Sequence, residues 1–457
     1  MPAINPLRIL WITLALVCTQ TLAQPTAESI NKIKALVEAT YNKDEPGAVV
    51  LVAHKDNIVY HQAIGQSSLE GPPLQLDTIF RIASVSKQFT AVAILQLAEQ
   101  GKLNLDDHIN KFVPEFDTRD QKITVKMLLN HTSGIISYTS MPNFDQGIDS
   151  TDVTPEELVD FFNNQELQFT PGTDQSYSNS GYALLGLIIE RVSGVSYAQY
   201  MHQNIFKKAN MQRVFAGDDH AGTKGFATGY IATDTGYTET GYISLTWPYA
   251  AGCIETTTAD LHRWIRALHK EKIISQASLN EASAPTILPS GQRISYGYGL
   301  DTLNIQGHPT VEHGGGIPGF VSHLLYIPDK EITVAILSNA MRPGLTAFAA
   351  KIAAHAINNP YPENPSIELG QSTLQEYIGT YTDQNNNTRI ISISDNKLFS
   401  QRVGGMGLFL LPIAKDRFIM QDQLIQIQFI RDESTNTVTK LNFIDRTGES
   451  IWTRSLD

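Results

Sequence analysis

The chain has 457 residues, 42% of them hydrophobic and 18% charged, a balance that can bury a sizeable core and excludes wholesale disorder or a fibrous repeat. Its 34 basic residues face 46 acidic ones, a net charge of −12 that repels phosphate backbones and argues against nucleic acid as a partner. At about 100–200 residues per domain, this length predicts two or three domains, or one large domain with an appendage.

The first residues read as an export signal. Met1 to Arg8 carries one Arg, Ile9 to Val17 is an apolar run of nine, and Thr21-Leu22-Ala23 places small residues ahead of a cleavage after Ala23. That run is too short to span a bilayer, so residues 1–23 are expected to be a signal peptide and the mature chain secreted or periplasmic. Cys18 follows Val17, not the small residue usual in a lipoprotein signal. Cleavage leaves Cys253 as the single thiol, so no internal disulfide is expected even in an oxidising compartment. No later stretch reaches about 18 apolar residues, which predicts a soluble product without stable membrane insertion.

Gln24 to Lys43 has Ile30, Ile33, Leu36 and Val37 at helical spacing. Ala48–Ala53 and Ile58–Ala63 read as a β-hairpin around His54–Asn57. Ser84 to Gln100 is apolar nearly all round, as a buried helix is, and Gly101 stops it. The chain from about Leu103 to Lys272 is mostly helical in pattern. Phe320–Ile327 and Ile332–Asn339 form a second hairpin, and a helix follows from Leu345 to Asn358. Strands at both ends of this region enclose a helical middle, which predicts one antiparallel sheet with an inserted helical lobe.

Three prolines between Asn358 and Pro365 suit a semi-rigid spacer. From Tyr377 to Trp452 the pattern changes to short alternating strands: RIISIS, KLFSQRV, LFLLPI, RFIM, LIQIQFI, VTKLNFI and SIWTR. Such a meander predicts a small barrel or sandwich. The expected division is a signal peptide (1–23), a main domain (24–358), a linker (359–370) and a β-rich unit (371–457). An appended unit of this kind can shape the mouth of a cleft.

No G-x-S-x-G elbow, H-E-x-x-H, C-x-x-C or Walker-type loop occurs, which disfavours an α/β-hydrolase, a zinc site and a nucleotide phosphate site. Ser84-Val85-Ser86-Lys87 opens the buried helix. Lys87 falls one turn from Ser84 on the same face, and a serine needs such a proton acceptor to become a nucleophile. Read singly, Ser84 can equally be an N-cap and Lys87 a solvated side chain. Tyr177-Ser178-Asn179 offers a phenol and an amide, or simply a loop before the helix Tyr182–Val192. His313-Gly314-Gly315-Gly316 lets a substrate lie against a strand edge, or turns the chain into the next hairpin.

Together and in this order, S-x-x-K, Y-x-N and H-G-G resemble the motifs of the serine β-lactamase and penicillin-binding-protein superfamily, in its class C-like branch of lactamases, DD-carboxypeptidases, D-aminopeptidases and esterases. The runs LLNHTSGI (Leu128–Ile135), YSNSGYALLG and EHGGGIPGF strengthen the likeness, which covers about Glu28 to Asn358. The resemblance implies that fold: an α/β (α+β) architecture whose antiparallel sheet is flanked by terminal helices, with the β-rich tail similar to a lipocalin-like barrel. It implies Ser84 as acylated nucleophile, Lys87 and Tyr177 sharing the base role, and Asn179 orienting the substrate. His313 and Gly314–Gly316 would line the substrate, with the Ser84 and Gly316 amides as the oxyanion hole. No metal or organic cofactor is implied, and the implied partner is a small molecule or short peptide, cell-wall peptides included. His313 stands where lactamases carry Lys; a mostly neutral His holds a β-lactam carboxylate less strongly, a departure that looks more like the peptidase and esterase members.

Overall fold

A computed structural model describes residues 24–142, 144, 151–217, 223–241 and 243–455. The expected signal peptide, with Cys18, lies outside the described residues. Helix α1 (Ala27–Thr40) starts where the Thr26 side chain accepts the Ser29 N–H, and it buries Ile33 and Val37. Strands β1 (Ala48–His54) and β2 (Asn57–Ile64) form the first hairpin. Helix α2 (Ser86–Glu99) is buried from Ser86 to Leu97, and α3 (Asn179–Ser193) ends on Gly194 at φ 78°. Strands β3 (Asp301–Ile305), β4 (His308–Ile317), β5 (Phe320–Ile327) and β6 (Ile332–Ser338) lead into α4 (Leu345–Ala356).

These strands form one six-stranded sheet in the order β3-β4-β5-β6-β1-β2, antiparallel at every pairing. The two ends of the domain meet at the β1–β6 pairing, where Val50 faces Ile336. Alternation along β1 explains its continuous apolar run. Val49, Leu51 and Ala53 enter the core of the helical lobe, while Ala48, Val50 and Val52 pack with α1 and α4. A strand covered on both faces needs apolar residues at every position.

Two expectations are corrected here. His313–Gly316 is not a turn ahead of a hairpin: it lies inside β4, paired residue by residue with Leu324 to Val321. Three glycines and flanking polar residues hide a strand from propensity, but the ladder to β5 supplies the backbone bonds. The helix after Tyr177 begins earlier than Tyr182, because the Ser178 side chain caps it and makes Asn179 its first residue.

The tail closes into a barrel of eight strands: β7 (Gly379–Thr382), β8 (Thr388–Ser394), β9 (Lys397–Arg402), β10 (Gly407–Ala414), β11 (Arg417–Met420), β12 (Gln426–Arg431), β13 (Val438–Asp445) and β14 (Gly448–Arg454). Seven of these are the alternating runs of the sequence. The eighth, the four-residue β7, pairs with both β8 and β14 and so removes both edges. The barrel has its own core, including Tyr377, Phe418, Phe429 and Leu441. Its contacts fall on the terminal-helix side of the sheet: Leu424 packs into the α1/α4 core, and the Asp422 carbonyl lies against Gly344 at the start of α4.

Candidate active site

Ser84 sits in a 3-10 turn, Ala83–Val85, immediately before α2. The α-helix proper begins at Ser86, two residues later than the sequence pattern predicts. Ala83 explains the shift: its φ of 47° is left-handed, a conformation that costs a non-glycine residue about 1–2 kcal/mol. The turn is held by the Ser322 hydroxyl donating to the Ile82 carbonyl at 2.7 Å and by the Ile82 N–H donating to Ile254 at 3.0 Å. Strain retained by surrounding bonds is common where a side chain must be presented.

Lys87, in the first turn of α2, is fully buried. Its Nζ lies 3.2 Å from Ser84 Oγ, 2.8 Å from Asn179 Oδ1 and 2.8 Å from the Ala251 carbonyl oxygen. Among the described residues no carboxylate pairs with it, and burial pushes its pKa well below the ordinary lysine value. A neutral amine has two N–H bonds and one lone pair. Asn179 Oδ1 and Ala251 O can only accept, so they take the two hydrogens and the lone pair is left facing the Ser84 hydroxyl.

Tyr177 lies beside Ser84, and burial of its hydroxyl pushes the phenol pKa up, although 39% of the residue is exposed. The two groups that the motif pairs as a shared base therefore differ. Desolvation favours the neutral form of each, which makes Lys87 an acceptor and Tyr177 a donor. Asn179 holds Lys87 through Oδ1 and donates from Nδ2 to Thr139 Oγ1 at 3.0 Å.

His313 projects from β4 toward the helical lobe, the face shared with Val311. It is 4% exposed. Its Nδ1 is 2.5 Å from the Gly314 carbonyl, which can only accept, so Nδ1 carries the proton. Nε2 then accepts from the Tyr296 hydroxyl at 2.9 Å. Burial pushes the His313 pKa down to about 3, so this position offers no cation at neutral pH.

The sequence does not single out His131 and Tyr296. The His131 ring packs at a tilt against Tyr177, centroids 4.3 Å apart, and against Tyr296, 4.7 Å apart, and its Nδ1 accepts the Ser178 N–H at 3.1 Å. It fixes the Tyr177 ring and the entry to α3 at once. Burial pushes its pKa well below the ordinary histidine value. Its place in LLNHTSGI is the available sequence signal.

The glycines of β4 do different work. A Cβ on Gly315 would lie 2.3 Å from the Ile82 carbonyl oxygen, 2.3 Å from Ser322 Oγ and 3.1 Å from the Ser84 nitrogen, whereas Gly316 faces open space. Gly315 thus sets how closely β4 approaches the Ser84 turn. Gly315→Ala is expected to lower kcat/KM by about 100-fold through displacement of β4, with a stability loss of about 1–3 kcal/mol. Thermal melts beside rate measurements check both.

The beta-lactamase family model matches residues 30–358. The chain belongs to the beta-lactamase family. Penicillin-binding protein 4* of Bacillus subtilis (strain 168) is 31% identical over 431 residues, which span 88% of this chain and 94% of that protein. The octameric penicillin-binding protein homologue from Pyrococcus abyssi matches with a TM-score of 0.67 at 27% identity, covering 92% of this chain and 99% of that one. A D-stereospecific amidohydrolase from Streptomyces sp. matches with a TM-score of 0.63 at 28% identity, over 71% of this chain and 98% of that one. The superfamily read from the motifs is thereby shown. Within this beta-lactamase fold the chain is a member of a serine hydrolase family whose neighbours include a penicillin-binding protein and a D-stereospecific amidohydrolase.

Proposed function

We propose that the chain is an exported hydrolase that acylates Ser84 and passes the acyl group to water, with short peptides bearing D-residues, or small esters, as substrates. The observation that carries this reading is the valence of Lys87: two acceptor-only partners and one hydroxyl, in a pocket that favours the neutral amine. Lys87 takes the Ser84 proton as Oγ bonds to the substrate carbonyl carbon. The Ser84 and Gly316 N–H groups receive the oxyanion. Tyr177 protonates the leaving group as its bond to carbon breaks and recovers a proton from Lys87. Water then attacks the acyl carbon, its proton passing to Lys87, and Ser84 leaves as the hydroxyl by taking that proton back. No step needs a metal or organic cofactor. The leader-like residues 1–23 support export, and the Streptomyces amidohydrolase supports D-stereospecific amides.

A panel of p-nitrophenyl esters, D-amino-acid anilides and nitrocefin tests the reading, with Ser84→Ala as blank. Turnover of esters or anilides above nitrocefin is expected; equal rates in the blank would contradict it. The likeness to a penicillin-binding protein favours a second reading, a penicillin sensor that acylates and scarcely turns over. A stoichiometric burst without steady-state turnover on every substrate identifies that case.

The neutral, Tyr296-bound His313 makes a specific prediction. His313→Lys restores a cation for a carboxylate-bearing substrate, where a charge-assisted hydrogen bond contributes about 1.5–3 kcal/mol. The ratio of kcat/KM for nitrocefin to that for a neutral ester is expected to rise about tenfold. A flat or falling ratio excludes this electrostatic origin of substrate preference.

A further inference from the structure

Successive residues of a strand point to opposite faces. His313 points to the site, and Glu312 points behind it, on the face shared with its cross-strand partner Leu325 in the terminal-helix core. Glu312 is only 1% exposed. Its carboxylate accepts from His323 Nε2 at 2.9 Å, and its β3 neighbour in the ladder is a second acid, Asp301. Two acids facing each other across a ladder repel. Burial and then the Glu312 charge push the Asp301 pKa up to about 7.

The cation that compensates this pair comes from the barrel. Arg446 stands in the β13–β14 turn, which Asp445 braces by accepting the Thr447 N–H at 2.7 Å. The Arg446 side chain is 8% exposed, and its Nη2 lies 2.6 Å from Glu312 Oε1. Nη1 reaches Glu312 Oε2 at 3.3 Å, Nε donates to the Asn304 carbonyl at 3.0 Å, and Nη2 to Thr310 Oγ1 at 3.3 Å. The guanidinium thus binds both β3 and β4 from behind. On the front, β4 is seated on the Ser84 turn with no room for a Cβ at Gly315.

We propose that Arg446 is a positioning residue for the hydrolase site: it neutralises Glu312 on the back of β4 and so fixes His313–Gly316 against Ser84, coupling the barrel to acylation. A buried carboxylate robbed of its cation must recruit water or a proton, and either moves the strand that carries His313. A shift near 1 Å in such a segment can cost about 100-fold in rate. The barrel acts in this way through the sheet.

The proposal rests on Ser84 acylation, so the test first requires that the full-length wild-type chain be labelled at Ser84 by a fluorescent fluorophosphonate and that Ser84→Ala not be. An unlabelled wild type contradicts the acylation reading, and the coupling with it. Given labelling, Arg446→Met is expected to slow the second-order labelling rate of folded protein about 10- to 100-fold. Adding Glu312→Gln removes the stranded charge and is expected to bring the rate back to within about threefold of wild type, a rescue that loss of a brace would not give. Arg446→Lys keeps one charge but loses the fork, and is expected to fall between the two; it carries the test should Arg446→Met fail to fold. A wild-type rate in Arg446→Met or in Arg446→Lys overturns the proposal. So does a double variant no faster than Arg446→Met.

Discussion

Ser84→Ala is expected to lose about 10⁶-fold in kcat, the loss seen when one member of a catalytic unit is removed, while melting close to the wild type. The serine is half-buried in a 3-10 turn whose geometry is set by Ala83 and by bonds to Ile82, none of which involves Oγ. Lys87 loses one of three partners and keeps Asn179 and Ala251, so its amine stays in place. Chemistry is therefore removed with little packing. A variant with a tenth of wild-type turnover would assign the nucleophile elsewhere.

Lys87→Met is expected to lower kcat by about 10²–10⁴-fold, the usual worth of a general base. Met fills similar volume, and leaves Asn179 Oδ1 and Ala251 O without a donor at about 1–3 kcal/mol for each buried acceptor. The pH profile gives the sign. Burial depresses the Lys87 pKa, so the amine is free on the alkaline side of that pKa and protonated on the acid side. Activity should rise with pH through it, because a proton on Nζ occupies the lone pair facing Ser84. Tyr177→Phe removes the leaving-group donor and should keep this acid limb at reduced kcat; Lys87→Met should lose it. An acid limb that survives Lys87→Met and vanishes with Tyr177→Phe would exchange the two roles.

Much of the site was legible because its parts are local. Ser84 and Lys87 are three apart at the entry of one helix, and Tyr177 and Asn179 flank the cap of another, so short-range geometry already places them together. Strand β4 was not legible: its glycines look like a turn, and only the ladders to β3 and β5 make it a strand. His131, Tyr296 and the Ala251 carbonyl reach the site through tertiary packing that no spacing encodes. Arg446 is harder still, because an arginine in a hairpin turn reads as a solvated loop residue. Its significance comes from Glu312, 134 positions away, buried on the back of a strand whose front holds His313. The barrel itself was visible in seven alternating runs, and the missed strand, GTYT, has a single large apolar side chain in four residues and gives periodicity little to act on.

The most direct measurement is intact-mass and peptide-mass analysis of the full-length chain after brief reaction with a fluorophosphonate or a penicillin. One adduct per chain is expected, on the peptide containing Ser84, and absent from Ser84→Ala. An adduct on another residue, or labelling that persists in Ser84→Ala, would contradict acylation at the Ser84–Lys87–Tyr177 site.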